Sequence, residues 1–263
     1  MEKNFEKIIS PIIKKAGYIM LSALGVKNFK EKQGEVNYVT EYDEKVQAFL
    51  IEEIKKAYPR ATFIAEEKDN DSSAFNSELC FIIDPIDGTA NFIRDYKTSS
   101  ISIGVFSKGV GIFGAILNPY LNELFTAEKG KGAYLNGEKI TVSNRDFEKT
   151  VFAFGSSPYY KKELGEKTFD TAKKLFFACE DIRRSGSAAL DFCNVACGRI
   201  DLFFECRLSP WDFGAGSIIL TEAGGIITDM DGNDLDFCSP QSILCGNPKT
   251  HKKALEIINE KRP

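Results

Sequence analysis

Residues 79–92, Leu-Cys-Phe-Ile-Ile-Asp-Pro-Ile-Asp-Gly-Thr-Ala-Asn-Phe, decide the fold of this chain. The aromatic and β-branched run 81–83 predicts a buried strand, which leads directly into the carboxylates Asp84 and Asp87. In sheet proteins, ligands commonly bind where a strand ends and a helix begins, because the free N–H groups of the helix attract an anion. Two carboxylates repel an anion, so a cation between them is the simplest interpretation. Ligands that are all oxygen favour a hard divalent ion, Mg²⁺ before zinc.

The composition is that of a soluble globular protein. With 263 residues and 43% hydrophobic content, the chain can bury a large core in one extended domain or two interleaved lobes. A net charge of −4 without a basic cluster argues against nucleic acid as a partner. Residues 1–7 lack the apolar core of a signal peptide, and no later run is long enough to span a membrane. We therefore expect a cytoplasmic protein with no membrane partner.

The chain contains seven cysteines, an odd number with no C-x-x-C pair. This pattern argues against a disulfide framework and against a zinc ribbon. We expect most of the thiols to be small buried side chains. They are Cys80, Cys179, Cys193, Cys197, Cys206, Cys238 and Cys245.

The sequence pattern of residues 1–149 predicts an α+β lobe. Apolar residues at helical spacing predict an amphipathic helix over 5–23, in which Pro11 produces either a kink or a second start. A polar loop or loose hairpin follows at 25–39, and a second helix runs from Thr40 to about Ala57. The predicted strands are 62–65 and an antiparallel meander over 100–105, 111–117 and 123–127.

The sequence pattern of residues 150–263 predicts an α/β lobe, which would form a single functional unit with residues 1–149. The predicted strands are 151–154, 200–205, 226–228 and 242–245, and the predicted helices are 163–177, one capped by 185–187, 211–223 and one from Pro248. His251, the only histidine, lies among lysines in the last helix, so we expect it to be solvated. Nothing therefore indicates a His-dependent serine or cysteine triad.

Four acids follow predicted strands or open predicted helices: Glu66, Asp84, Asp87 and Asp212. Each one alone has a structural explanation, because an acid at a helix N-terminus commonly only caps it. Asp43 has the same explanation, since Thr40-x-x-Asp43 is the spacing of a capping box. Gly88 allows close backbone approach and Thr89 offers a hydroxyl ligand. The combination favours a metal-binding site.

Several motifs together resemble the inositol monophosphatase family of magnesium-dependent, lithium-sensitive phosphatases. The resemblance extends over about residues 32–225 and is carried by 36–43, Glu66-Glu67, 84–92, 186–189, 211–216 and 221–225. It implies a layered α/β sandwich of alternating helices and sheets, the sugar-phosphatase fold. It also implies a homodimer.

The resemblance implies roles for individual residues. The implied metal ligands, for about two or three Mg²⁺ ions, are Glu66, Asp84, the carbonyl of Ile86, Asp87 and Asp212. Thr89 with Glu66 would orient and deprotonate the attacking water, supported by Asp43. The implied substrate contacts are the backbone N–H groups of Gly88 and Thr89, which would hold the phosphate, and Gly186, Ser187, Glu205 and Asp212.

The residues before Trp211 depart from the common family pattern. Many members have a bulkier basic or imidazole side chain where this chain has Ser209, and Cys206-Arg207 is also unusual. The expected substrate is a small phosphorylated alcohol, and the segment 186–189 with Glu205 favours myo-inositol 1-phosphate. Fructose 1,6-bisphosphate, 3′-phosphoadenosine 5′-phosphate and histidinol phosphate, which relatives hydrolyse, are the alternatives.

Two other classes of protein fit parts of the sequence. A phosphatase with an aspartyl nucleophile has an Asp-x-Asp-Gly-Thr motif, but the spacing here is Asp84-x-x-Asp87, and Glu66 and Asp212 have no role in that scheme. A catalytically silent regulatory protein would also bind phosphate or metal, although every expected acid is present. Direct attack by metal-activated water on a phosphomonoester needs no covalent intermediate.

Overall fold

The computed structural model describes residues 4–23, 29–31, 38–68 and 70–260. Within these residues, three helical layers alternate with two β-sheets that share the core. A further pair of short strands lies outside these two sheets. The layered α/β architecture expected from the sequence is confirmed.

The described elements alternate along the chain. The helices are α1 Phe5–Leu21, α2 Glu41–Ala57, α3 Thr89–Ile93, α4 Lys161–Phe176, α5 Ala188–Ala196, α6 Pro210–Glu222 and α7 Pro248–Asn259. The strands are β1 Phe29–Glu31, β2 Tyr38–Thr40, β3 Thr62–Ala65, β4 Cys80–Asp87, β5 Ser100–Ser107, β6 Val110–Asn118, β7 Glu123–Glu128, β8 Gly132–Leu135, β9 Glu138–Ile140, β10 Val151–Phe154, β11 Asp181–Arg183, β12 Leu202–Leu208, β13 Ile226–Thr228 and β14 Gln241–Gly246.

The larger sheet contains seven strands in the order β3-β4-β5-β6-β7-β8-β9. β3 is parallel to β4, and every later neighbour is antiparallel, which confirms the predicted meander. β1 and β2 pair with each other in antiparallel orientation, as in a hairpin. The rest of the segment predicted as a loop or hairpin, at 25–28 and 32–37, lies outside the described residues.

β4 extends further than the sequence predicted, because it continues through both carboxylates to Asp87. Asp84 pairs with Ser102 and Asp87 with Ser100, so three steps on β4 oppose two steps on β5. In a regular strand, residues three apart point to opposite faces. The extra residue, next to Pro85 with its missing N–H, reverses this alternation and turns both acids to one side.

Helices α1 and α2 cover the outer face of the larger sheet. Ile9 and Ile13 of α1 and Leu50 of α2 are fully buried in one cluster with Phe81 of β4. Pro11 lies inside α1, which runs unbroken from Phe5 to Leu21, so the proline does not start a second helix.

Helices α5 and α6 lie between the two sheets. A Cβ atom at Gly104 would lie 3.0 Å from the Ala215 nitrogen, and one at Gly114 would lie 2.8 Å from the Ala215 oxygen. The two glycines therefore allow α6 to approach β5 and β6 at backbone distance. This position explains why the middle of α6, from Phe213 to Leu220, is largely apolar on all sides, as buried helices are.

The smaller sheet has five strands in the order β11-β10-β12-β14-β13, and α4 and α7 cover its outer face. The prediction that His251 is solvated is wrong. The side chain is 5% exposed, and its Nε2 atom lies 2.9 Å from the Thr228 hydroxyl. His251 shares the inward face of α7 with Ala254, one helical turn later, while the neighbouring lysines point outward. Burial lowers the pKa of His251.

The seven cysteines are free thiols. Cys80, Cys193, Cys206 and Cys245 are buried, which confirms the expectation for most of them, whereas Cys238 is exposed. Among the described residues, no helix combines the length and apolar character needed to cross a membrane.

Candidate active site

A cavity of about 420 Å³ opens where the central elements of the two sheets end. Glu66 after β3, strands β4 and β12, and the N-termini of α3, α5 and α6 contribute its walls. Of the residues predicted for the site, Asp43 alone does not line the cavity. Those that line it are Glu66, Asp84, Ile86, Asp87, Gly88, Thr89, Gly186, Ser187, Glu205 and Asp212.

Three carboxylates converge at one end of this cavity. Asp84, Asp87 and Asp212 each place an oxygen atom within 4.8 Å of the others, although Asp212 is more than 120 residues from the first two in the chain. Glu66, which is half-buried at the end of β3, lies near enough to raise the pKa of all three. Oxygen atoms at this spacing suit a hard cation.

Ionisation of these carboxylates is unfavourable because they are buried close to one another, and a bound cation would offset this repulsion. Burial, followed by the charge of Glu66, raises the pKa of Asp84 and of Asp212 well above the ordinary range. Burial raises the pKa of Asp87 to about 6, although hydrogen bonds oppose the effect. Buried like charges favour the protonated forms unless a counter-charge is present. The donor set therefore fits a hard divalent ion such as Mg²⁺.

The position of Asp87 is fixed through one of its two oxygens. Oδ2 accepts hydrogen bonds from the Ser187 hydroxyl, from the Ala189 N–H at 3.0 Å and from the Ser100 hydroxyl at 3.4 Å. Among the described residues no such bond reaches Oδ1, so this oxygen is available to a ligand.

Asp84 and Asp212 are each held by a backbone N–H group. Asp84 Oδ1 accepts the N–H of Ile86 at 3.0 Å, and Asp212 Oδ2 accepts the N–H of Ser209 at 2.6 Å. The latter bond belongs to a capping box at the start of α6, so Asp212 does serve as a helix cap. Capping uses one oxygen and does not compete with the convergence of the acids in the cavity.

Gly88 and Thr89 follow the acids at the N-terminus of α3. Gly88 has a φ of +84°, and a Cβ there would lie 3.0 Å from the Gly186 carbonyl oxygen, so only glycine fits this turn. The Thr89 hydroxyl lies 3.1 Å from the Ile86 carbonyl oxygen and 3.3 Å from Asp43 Oδ1. Asp43 is fully buried behind Thr89, and its Oδ2 caps α2 through the Thr40 N–H at 2.8 Å.

Glu205 occupies a different wall of the cavity, on β12. Its Oε1 accepts hydrogen bonds from the Ser157 N–H at 2.9 Å and from the Ser157 hydroxyl at 3.1 Å. A Cβ atom on Gly155 would lie 1.8 Å from Oε2, so a larger residue at that position would displace the carboxylate. Burial raises the pKa of Glu205 to about 7.

Four further side chains line the cavity that were not predicted from the sequence: Asp191, Arg184, Arg207 and Tyr159. Asp191 is 3% exposed and accepts a hydrogen bond from the Ser185 hydroxyl at 2.6 Å, and burial raises its pKa to about 8. Its signal in the sequence is an acid inside the otherwise largely apolar helix α5. For Arg207 the signal was its departure from the usual family pattern.

The layered α/β sandwich and the convergence of Asp84, Asp87 and Asp212 agree with the class of protein that the sequence motifs resemble, the inositol monophosphatase-like phosphatases. This chain belongs to the inositol monophosphatase family, whose sequence profile matches residues 1–262. Nus factor SuhB of Escherichia coli K12 is 40% identical over 230 residues, which cover 87% of this chain and 85% of that protein.

Two further relatives match almost the full chain. Inositol monophosphatase 2 of Solanum lycopersicum is 35% identical over 263 residues, covering 98% of this chain and 99% of that protein. The crystal structure of extragenic suppressor protein suhB from Bartonella henselae superimposes with a TM-score of 0.90 at 33% identity. The superposition covers 97% of this chain and 98% of the Bartonella henselae chain. The similarities support both the family assignment and the fold.

Proposed function

We propose that this protein is a Mg²⁺-dependent phosphomonoesterase that hydrolyses a small phosphorylated alcohol. The observation that carries the proposal is the convergence of Asp84, Asp87 and Asp212 within 4.8 Å in a cavity with Glu66. These side chains, with the carbonyl of Ile86, would hold the metal. When bound, Mg²⁺ supplies the positive charge that lowers the pKa of a water molecule and offsets the charge of the phosphoryl oxygens.

The remaining groups of the site position the reactants. Thr89 presents a hydroxyl beside the acids, and its contact with the buried carboxylate of Asp43 gives its proton an acceptor. Glu66 lines the same cavity and would accept the proton of the attacking water. The backbone N–H groups of Gly88 and Thr89 would hold the phosphate.

We propose myo-inositol 1-phosphate as a substrate. Gly186, Ser187 and Glu205 line the part of the cavity next to the acids, where hydroxyl groups of an alcohol would be recognised. The name of the tomato relative, inositol monophosphatase 2, supports this choice. Fructose 1,6-bisphosphate, 3′-phosphoadenosine 5′-phosphate and histidinol phosphate remain the alternatives.

Phosphate release from these four esters, with Mg²⁺ and with EDTA, tests the proposal. We expect turnover that requires Mg²⁺ and that Li⁺ inhibits. A matched control is Asp181→Asn, which removes an exposed carboxylate outside the cavity and should leave turnover unchanged. The absence of Mg²⁺-dependent turnover with every ester would refute the proposed function.

The name Nus factor SuhB of the E. coli relative favours a second candidate, a regulatory protein that acts through a partner. The complete set of acids in this chain supports an enzyme, and the turnover assay separates the two candidates.

We also propose a cytoplasmic homodimer in which residues 1–149 and 150–263 form one catalytic unit. Exposed aromatic side chains on and after α4 offer apolar surface for such contact: Phe169, Phe176 and Phe177. Sedimentation velocity measures the oligomeric state.

A further inference from the structure

Tyr159 lines the cavity, and the proposed reaction gives it no part. The residue as a whole is 45% exposed. Burial is nevertheless the largest cause of the raised pKa of Tyr159, so the hydroxyl itself is shielded from solvent. The exposed part of the residue therefore lies away from the hydroxyl, and the hydroxyl is turned into the cavity.

The hydroxyl of Tyr159 lies near the point where the acids of the site converge. After burial, four negative charges raise the pKa of Tyr159 further, in the order Glu66, Asp212, Asp84 and Asp87. The hydroxyl therefore keeps its proton and is a donor that faces a group of acceptors. Among the residues that the structure describes, this hydroxyl has no hydrogen-bond partner. The space between the donor and the acids is large enough to separate them, and a ligand of the cavity would lie there.

The turn that carries Tyr159 is anchored on its N-terminal side by Ser157. The N–H of Ser157 donates a hydrogen bond to Oε1 of Glu205 at 2.9 Å, and its hydroxyl lies 3.3 Å from the Arg207 carbonyl oxygen. Ser157 is 3% exposed and has a φ of +40°, a left-handed conformation that serine rarely adopts. Such a conformation persists only where the surrounding contacts fix it, and it is common at ligand sites. Pro158 then restricts the backbone further.

Tyr160 anchors the same turn on its C-terminal side. The guanidinium carbon of Arg207 lies 4.6 Å from the centre of the Tyr160 ring, a cation–π contact. The N–H of Tyr160 also donates a hydrogen bond to the Ser157 carbonyl oxygen at 2.8 Å. The backbone of Tyr159 is therefore held from both sides. Less conformational freedom is lost on binding when the contacting residue is already held in place.

We propose that the Tyr159 hydroxyl contacts the substrate and donates a hydrogen bond to a phosphoryl oxygen of the ester. The inference rests on the proposed phosphatase function and adds a residue to its phosphate site. The other donors proposed for the phosphate, the N–H groups of Gly88 and Thr89, approach from the N-terminus of α3, whereas Tyr159 enters from the turn after β10. Ionised carboxylates offer only acceptors. A neutral donor from a second direction would hold the phosphoryl group without adding charge to the site.

Inorganic phosphate tests this contact, because it has phosphoryl oxygens and lacks the alcohol part of the substrate. Tyr159→Phe removes the hydroxyl and keeps the ring, so the turn and the shape of the cavity are preserved. The matched control is Tyr18→Phe, which removes the hydroxyl of a 72% exposed tyrosine of α1 outside the cavity. Binding of inorganic phosphate in the presence of Mg²⁺ is measured by calorimetry, and its inhibition of ester hydrolysis is measured in parallel.

We expect Tyr159→Phe to raise the Kd and the inhibition constant of inorganic phosphate by about 3–10-fold, the net effect of one lost hydrogen bond. The value of kcat/KM for the ester should fall by at least the same factor, and Tyr18→Phe should change neither quantity. An unchanged Kd for inorganic phosphate in Tyr159→Phe would overturn the proposal. A lower kcat/KM with an unchanged Kd would show that the hydroxyl contacts the alcohol part instead, which also overturns it.

Calorimetry keeps this inference separate from the proposed function, because phosphate binding does not require turnover. If no ester is hydrolysed but phosphate binds and Tyr159→Phe weakens its binding, Tyr159 stands as a phosphate contact and the phosphatase proposal fails. If esters are hydrolysed with Mg²⁺ and Tyr159→Phe binds phosphate as the wild type does, the phosphatase proposal stands and the role of Tyr159 fails. A wild-type protein that neither binds phosphate nor hydrolyses an ester would overturn both.

Discussion

The backbone N–H of Ala189 donates a hydrogen bond to Oδ2 of Asp87 at 3.0 Å, across 102 residues of sequence. This bond joins β4 of the larger sheet to the N-terminus of α5, the helix that lies between the sheets. The free N–H groups and the dipole of a helix N-terminus stabilise a negative charge. The Asp87 carboxylate therefore links β4 to α5 through its Oδ2 atom, and its Oδ1 atom remains available to a ligand.

Asp87→Asn and Asp212→Asn should each abolish turnover while the fold is retained. Both changes remove a charge that would hold the metal and preserve the shape of the side chain. We expect a loss greater than the roughly 10–100-fold that follows removal of residues that only support a metal ligand. Without metal, thermal stability at pH 7 should stay equal or rise, because repulsion between buried acids is relieved. Near wild-type kcat at saturating Mg²⁺ in either variant would contradict the metal assignment.

The stability of the metal-free protein should fall as the pH rises from about 5 to 8. The pKa values of Asp87, Glu205 and Asp191 are raised to about 6, 7 and 8, against roughly 4 in the unfolded chain. Between these limits the folded state binds more protons than the unfolded state, so the free energy of unfolding decreases with increasing pH. Urea denaturation in EDTA at several pH values measures this slope.

Asp191→Asn should flatten that slope, because it removes the titrating group with the highest of the three pKa values. Asp181→Asn is the control. The hydrogen bond with Arg183 lowers the pKa of Asp181, so this residue is ionised in both states over the whole range. A slope that Asp191→Asn leaves intact would show that the side chain is ionised in the folded protein.

The thiols should react in three groups. Cys238 is exposed and should react rapidly with a thiol reagent in the native state, the half-buried Cys179 and Cys197 should react more slowly, and the four buried cysteines should not react. Burial also raises the pKa of Cys193 and Cys245 well above the ordinary range and so suppresses their thiolates. In denaturant, without prior reduction, all seven should react. Fewer than seven thiols, in protein trapped at lysis, would indicate a disulfide and contradict the cytoplasmic placement.

The grouping of the acids of the site could be predicted because each one lies at the end of a predicted strand or at the start of a predicted helix. Asp84 and Asp87 follow an apolar run, and Asp212 follows Trp211 at a helix start. The extra residue in β4 between the two acids was not predicted, since it depends on pairing with Ser100 and Ser102 of another strand. Periodicity within one strand carries no information about the register of its neighbour.

The burial of single polar side chains was difficult to predict from the sequence. The lysines around His251 suggested an exposed residue, although its three-residue spacing to Ala254 indicates the inward face of α7. Asp191 escaped notice because an acid in the first turn of a helix commonly acts as a cap. Only the fold shows that this turn faces the cavity, with Ser185 as its partner.

Thr89→Ala tests the role of the hydroxyl beside the acids. The Thr89 oxygen lies 3.3 Å from Asp43 and 3.1 Å from the Ile86 carbonyl oxygen, and its one proton serves a single acceptor at a time. If it orients the attacking water, its removal should lower kcat by about 10²–10⁴-fold, the usual contribution of proton transfer and positioning. The Mg²⁺ requirement should change little, and Thr89→Ser should recover much of the rate. The control Thr221→Ala removes an exposed hydroxyl of α6 and should leave kcat unchanged.

The stereochemical course at phosphorus decides which group attacks. If water attacks the phosphorus directly, a chiral phosphate ester is hydrolysed with inversion, and no phosphorylated enzyme accumulates. An aspartyl nucleophile would transfer the phosphoryl group twice, give net retention and leave a phospho-aspartate that rapid quenching can trap. The motif of that class corresponds to the segment with Asp84 and Asp87, the only carboxylates of β4, so such a phosphate would be sought in the peptide that contains both. We expect inversion, because Thr89 and Glu66 line the cavity and would position a water molecule, while Asp43 behind Thr89 can accept the proton of its hydroxyl. Retention would overturn this mechanism even if the Mg²⁺ requirement were confirmed.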